Sequence, residues 1–192
     1  MITEYTRSDL SNILNVINDA AQKYRGVIPD DRWNEPYMSE QELADEFDSG
    51  VHIFGYTQNS ALVGVMGIQE SRDVILIRHA YTLTTYQGIG IGKSLLQYVF
   101  EINESSRLLV GTWEDASWAI RFYMRNGFVL HERKQAARLL NEYWQVPLRQ
   151  METSVVLEKQ IGKSLNHENE SLCINNRDDR RDFRTIRRGS CT

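Results

Sequence analysis

Between Ser8 and Tyr24 the apolar residues Leu10, Ile13, Leu14, Ile17, Ala21 and Tyr24 recur at steps of three and four, the pattern of one helical face. The connection "RGVIPDDRWNEPYM" follows, with two prolines and three acidic residues. Ser39 and Glu42 then stand in the spacing of a capping box. Met38 and Leu43 flank them as a hydrophobic staple, so a second helix is predicted from Ser39. Three runs rich in β-branched residues come next, "VHIFGYT", "ALVGVMGIQE" and "VILIRHAYTL". The polar breaks "QNS" and "SRD" between them suit antiparallel hairpins. Ile91, Leu95, Tyr98, Val99 and Ile102 return to helical spacing, which starts a helix inside a glycine run. Beyond it the pattern predicts a strand "RLLVGTW", a helix "ASWAIRFYMRN", a strand "FVLHERK", a helix "QAARLLNEYW" and a closing strand "METSVVLEK". A meander followed by alternating helices and strands is an α+β, mixed-sheet order.

The glycine run "QGIGIGKS", Gln87 to Ser94, is the strongest chemical signal. A nucleotide P-loop ending in Gly92, Lys93 and Ser94 needs glycine at position 87, which is Gln87. The dinucleotide fingerprint fails in both registers, because it meets Lys93 or Leu95 where a small residue is required. The pattern Q-x-x-G-x-G at a strand-to-helix junction fits Gln87, Gly90 and Gly92. The first turn of the helix offers unpaired N–H groups and the positive end of a dipole, which suit a diphosphate. Glycines at 88, 90 and 92 keep Cβ atoms out of its way, and Lys93 adds charge at the rim. The competing reading is a glycine turn that holds nothing.

A second motif, "AIRFYMRNGF" from Ala119 to Phe128, follows after one further strand. Together, and in this order, the two motifs resemble the GNAT N-acetyltransferase family over about residues 1 to 160. The resemblance implies a central twisted mixed sheet flanked by helices, with strands four and five splayed and acetyl-CoA lying in the gap. Pantetheine is then expected on the backbone of Tyr81, Thr82 and Leu83, and the pyrophosphate on Gln87, Gly88, Ile89, Gly90, Ile91, Gly92, Lys93 and Ser94. Tyr123 matches the tyrosine placed beside the coenzyme sulfur, where a phenol hydrogen-bonds or protonates the leaving thiolate. Two positions depart from the common pattern. Ala116 stands where asparagine is frequent, leaving Ser117 to replace a pantetheine contact, and Gln87 stands where lysine or arginine is common.

The implied reaction moves acetyl from acetyl-CoA to a primary amine of a small molecule or peptide by direct attack. An alternative is an acyl-CoA-binding regulatory module without turnover. An ammonium has no lone pair, so a base is needed near the acetyl carbonyl. His79 on the fourth strand has the most suitable ordinary titration range, with Glu70 and Glu114 as alternatives and a structural role for His79 as the competing reading. Trp33, Tyr37, Tyr143 and Trp144 are candidate walls of an acceptor pocket that also includes Glu70, while Asp30, Asp31 and Glu35 are candidates to attract a cationic amine.

Composition narrows these readings. A length of 192 residues suits one domain with a substantial core, and the net charge of −4 gives no basis for nucleic-acid or membrane partners. Neither a signal peptide nor a spanning helix is predicted, which makes the cytoplasm the expected location. Cys173 and Cys191 lie near the end of the chain, outside the expected domain, so no cysteine carries an acetyl group in the reaction. No His, Asp and Glu cluster has metal-ligand spacing. Residues 163 to 192 are polar and without period, with seven basic and five acidic residues, and are expected to be a disordered tail. A homodimer fits a chain of this size, with no symmetric interface indicated.

Overall fold

The structure is a computed structural model and describes residues 1–103, 107–144 and 146–161. The expected tail from Lys163 lies outside the described residues. Seven strands form one sheet: β1 (Ile2–Tyr5), β2 (Val51–Gln58), β3 (Ala61–Ser71), β4 (Val74–Thr82), β5 (Arg107–Trp113), β6 (Val129–Leu130) and β7 (Ser154–Gln160). Their spatial order is β1-β2-β3-β4-β5-β7-β6, and only the β4–β5 pair is parallel. The helices are α1 (Leu10–Ala21), α2 (Glu40–Asp48), α3 (Ile91–Ile102), α4 (Ser117–Arg125), α5 (Arg133–Leu139) and α6 (Leu148–Glu152).

Helix α1 buries Ile13, Val16 and Ile17 with Leu43 of α2 against Val51, Ile53 and Val65 of the sheet. On the opposite face, Leu95, Leu96 and Val99 of α3 pack with Phe54, Met66, Ile75 and Ile77. Ile53 and Phe54 are neighbours in β2 yet join different cores, as the two-residue period of a strand requires. A third cluster joins Leu76, Leu109 and Val156 to Ala136, Leu139 and Leu140 of the α5 segment. Gly64 explains how closely α3 approaches the sheet. A Cβ there would lie 2.7 Å from Ile91 Cγ2.

The capping box forms as its spacing predicts, with Glu42 N–H donating to Ser39 Oγ at 3.2 Å and Ser39 N–H to Glu42 Oε2 at 2.8 Å. Two expected elements differ. The strand expected over Phe128–Lys134 shrinks to Val129–Leu130, because α5 already starts at Arg133 and the buried Phe128 ring belongs to the core. The closing strand starts at Ser154 rather than Met151, because α6 occupies Leu148–Glu152. Among the described residues, no helix is long and apolar enough to cross a membrane.

Candidate functional site

The gap in the sheet follows from how briefly its parallel strands stay together. β4 and β5 are in register only from Ile75–Leu108 to Ile77–Val110. Beyond that point β4 has no neighbour on its β5 side, while β5 stays paired with β7 as far as Trp113. A cavity of about 1060 Å³ fills the divergence, lined by β4, β5, the glycine loop, α4 and the ends of α1 and α2.

A bulge adds to the freed backbone. Val65 pairs with Tyr81 and Gly67 with Arg78, so two residues, His79 and Ala80, stand opposite the single Met66. His79 takes φ +47°, a left-handed conformation uncommon for a side-chain-bearing residue. Its backbone and that of Ala80 therefore have no register partner on either side. Tyr81 and Thr82 pair with β3 on one side only. Leu83 lies outside the cavity lining, and its N–H is taken by the Val63 carbonyl.

At the mouth, Gly90 caps α3 with φ +97° and Gly88 has φ +81°. An added Cβ meets nothing within 4 Å at either, so the backbone conformation is what selects glycine there. The first intrahelical bond runs from Ser94 N–H to Gly90 O, which leaves the amides of Ile91, Gly92 and Lys93 without intrahelical acceptors. Gln87, Gly88, Gly90, Ile91, Gly92 and Lys93 line the cavity, whereas Ile89 points out and is 65% exposed. The Gln87 amide donates to Thr82 O at 3.1 Å, so this side chain ties the loop to β4. Ser94 Oγ turns back onto Gly90 O at 3.3 Å and lies outside the lining. Arg121 and Arg125 of α4 bring further positive charge to the wall.

Tyr123 is buried at the cavity wall, with Phe122 and Phe128 edge-on at 5.0 and 5.3 Å between ring centroids. Burial, with the Tyr24 phenol nearby, drives its hydroxyl far above the ordinary tyrosine range, so it stays protonated. Ser117 is exposed and outside the lining, while its neighbour Trp118 lines the cavity.

The remaining wall is aromatic. Tyr24 and Tyr37 stack at 6.2 Å, and Tyr81 meets both edge-on, its hydroxyl donating to Tyr37 Oη at 3.3 Å. Trp118 leans on Tyr24 at 5.2 Å. Burial, then the neighbouring Tyr37, pushes the Tyr24 phenol up to about 12 and the Tyr81 phenol well above its usual range. Trp33 does not line the cavity but packs on Tyr37 at 5.6 Å.

Six other candidates are not brought here. Glu70 is exposed opposite Ile75, at the far end of the β3–β4 hairpin. Tyr143 also faces away, donating to Asp73 Oδ1 at 2.8 Å, although its neighbour Trp144 does line the cavity. Asp31 pairs with Arg32 and Arg149, and Glu35 with Arg25, all outside the lining. Glu114 is exposed in a separate cleft that also includes Asp30. Sequence reasoning missed Glu46, whose Oε2 lies 3.0 Å from His79 Nε2. Only its place on a partly buried turn of α2 marks it, and an acidic helix hides that signal. Among the described residues, no three His, Cys, Asp or Glu side chains are grouped to hold a metal ion.

Comparison with known proteins agrees with this geometry. A model of the acetyltransferase (GNAT) domain matches residues 14–141. The UPF0157 protein YqkA of Bacillus subtilis is 28% identical over 123 residues, 62% of this chain. The match spans about a third (36%) of that relative's length. Among solved structures, the PaiA N-acetyltransferase of Thermoplasma acidophilum in complex with coenzyme A superposes with TM-score 0.65 and 18% identity, over 84% of this chain and 98% of its own. The putative acetyltransferase YncA of Salmonella typhimurium with acetyl-CoA gives TM-score 0.59 and 14% identity, over 90% and 98%. At these identities the likeness is one of fold.

Proposed function

Because this chain belongs to the GNAT acetyltransferase family, we propose that it transfers acetyl from acetyl-CoA to the primary amine of a small molecule or peptide by direct attack. The observation that carries this reading is the opened sheet ending on a helix start whose amides have no acceptor. One-sided β4 residues can accept and donate along the pantetheine arm, as a missing strand would. The amides from Gly88 to Lys93, with Lys93, Arg121 and Arg125, suit the phosphates. The bulged backbone at His79 and Ala80 offers N–H groups where the thioester oxygen gains charge.

The amine enters past the Tyr24, Tyr37 and Tyr81 wall as an ammonium and loses a proton to His79. Its nitrogen then forms the N–C bond as the C–S bond breaks. Tyr123, held protonated, donates a hydrogen bond to the departing sulfur, and the proton that ends on sulfur comes from the attacking nitrogen. Over the cycle the ammonium gives up two protons, one ending on sulfur and one in solvent.

The test is a panel of primary amines incubated with the full chain and acetyl-CoA, read by mass spectrometry for a gain of one acetyl group. A product with an N-acetyl bond, formed with release of free thiol, supports the reading. Coenzyme hydrolysis without transfer to any amine or peptide N-terminus would overturn it.

A further inference from the structure

Resting on the reading of His79 as the base, the structure assigns to Glu46 the task of positioning that imidazole and balancing its charge. Glu46 is the one acid of α2 turned toward the sheet, since Glu40, Glu42, Asp45 and Asp48 of the same helix face solvent. Its two oxygens have separate neighbours. Arg78 donates to Oε1 at 2.6 Å and is itself held by Gln69 Oε1 at 2.7 Å. Oε2 faces His79 Nε2 at 3.0 Å, off the ideal hydrogen-bond direction, and neither buried atom has another partner.

A buried carboxylate oxygen without a donor is costly, and the Nε2–H tautomer of His79 supplies one after a small rotation of the ring. Nδ1 then carries the lone pair. That nitrogen has no hydrogen-bond partner among the described residues and belongs to a side chain that lines the cavity, so it is the atom that takes the amine proton. Glu46 is the only acidic side chain on the cavity wall among the described residues. Burial opposes its charge, but the close approach of His79 Nε2 and the charges of His79 and Arg78 outweigh that and keep its carboxyl below the usual range. The other titratable groups lining the cavity are the phenols of Tyr24, Tyr37, Tyr81, Tyr86 and Tyr123, the ammoniums of Lys23 and Lys93 and the guanidiniums of Arg78, Arg121 and Arg125, none of which can offset an imidazolium. The left-handed backbone of His79 is a strained setting for an imidazole, and strain of this kind accumulates where a side chain must be aimed.

Glu46→Gln, His79→Gln and the double variant test this with acetyl-CoA and an accepted amine. Glu46→Gln is expected to lower kcat by about tenfold or more, with coenzyme affinity unchanged. The acid limb of its pH–rate profile should move to lower pH, because the imidazolium loses its counter-charge. The double variant should be no slower than His79→Gln alone. Glu46→Asp keeps the charge and should restore the position of the acid limb. Carbethoxylation of His79, mapped by mass spectrometry, reads the same contact without turnover, and its pH midpoint should fall in Glu46→Gln. Additive kcat losses, or an unmoved pH limb with an unmoved labelling midpoint, overturn the assignment. Should the wild type acetylate no amine, the acetyltransferase reading fails, and the labelling midpoint still decides whether Glu46 governs His79.

Discussion

The Asp19 carboxylate, at the exposed end of α1, accepts the Thr84 N–H at 2.6 Å, sixty-five residues along the chain. Thr84 opens the turn that leads into the glycine loop, so α1 holds that loop from the side opposite α3. The preceding residue, Asn18, is bound twice to the Met38 backbone, at 3.0 and 2.8 Å. Adjacent residues of one helix thus fix the coenzyme loop and the segment that carries Tyr37.

Asp19→Ala is therefore expected to weaken acetyl-CoA binding about fivefold, the worth of one charge-assisted hydrogen bond lost from a loop that must be pre-set. Asp19→Asn keeps an acceptor and should recover most of it. Titration calorimetry of both variants checks this, and equal affinity in Asp19→Ala and wild type would remove the role.

Tyr123→Phe deletes the hydroxyl while keeping the ring between Phe122 and Phe128. Turnover is expected to fall by roughly tenfold to a hundredfold, with melting temperature and coenzyme affinity near wild type. A parallel loss of affinity would make Tyr123 a binding residue instead.

Gly90→Ala places a Cβ where nothing crowds it but where φ is +97°. The cost is one of backbone strain, about 1 to 2 kcal/mol, visible as a lower urea midpoint at unchanged slope. A stability equal to wild type would mean that the loop can relax out of this conformation.

Glu158 bridges Arg107, at 3.0 Å to Nε, and His131, at 2.8 Å to Nε2. The Arg107 hydrogen bond leads in holding its carboxyl below the ordinary value of 4.5, with burial opposing. A depressed folded-state pKa gives stability that is present above the ordinary value and is lost as pH falls through the folded one. Glu158→Gln should lose about 1 to 3 kcal/mol at neutral pH and show a shallower loss of stability below about pH 4.5 than wild type. Chemical denaturation at pH 7 and at pH 3.5 separates the two, and an equal decline in both proteins would contradict the linkage.

What the sequence conveyed was local. The α1 stripe, the Ser39–Glu42 cap and the helix start at the glycine loop all depend on neighbours within four residues, and each is present. Tyr24 was readable as a buried helix-face residue, although not as part of a site wall. Glu70 is expected at the pocket because strand order is legible in the sequence and strand register is not, and Tyr143 because helical spacing does not tell which of Tyr143 and Trp144 turns inward. Both lie at the end of the sheet where β4 and β5 still pair. The bulge at His79 is not legible in the sequence: histidine tolerates positive φ better than most residues, but a single histidine inside a strand does not mark a bulge. Glu46 meets His79 only after α2 folds onto β4, a contact between residues thirty-three positions apart.

Isothermal titration of the full chain with acetyl-CoA, with ATP as the competing phosphate ligand, tests the central claim most directly. The glycine loop as a coenzyme A cradle predicts metal-independent acetyl-CoA binding that Gly90→Glu abolishes in a folded protein, with ATP silent. Undiminished binding in Gly90→Glu, or ATP binding that needs Mg²⁺ while acetyl-CoA gives no heat, would contradict it.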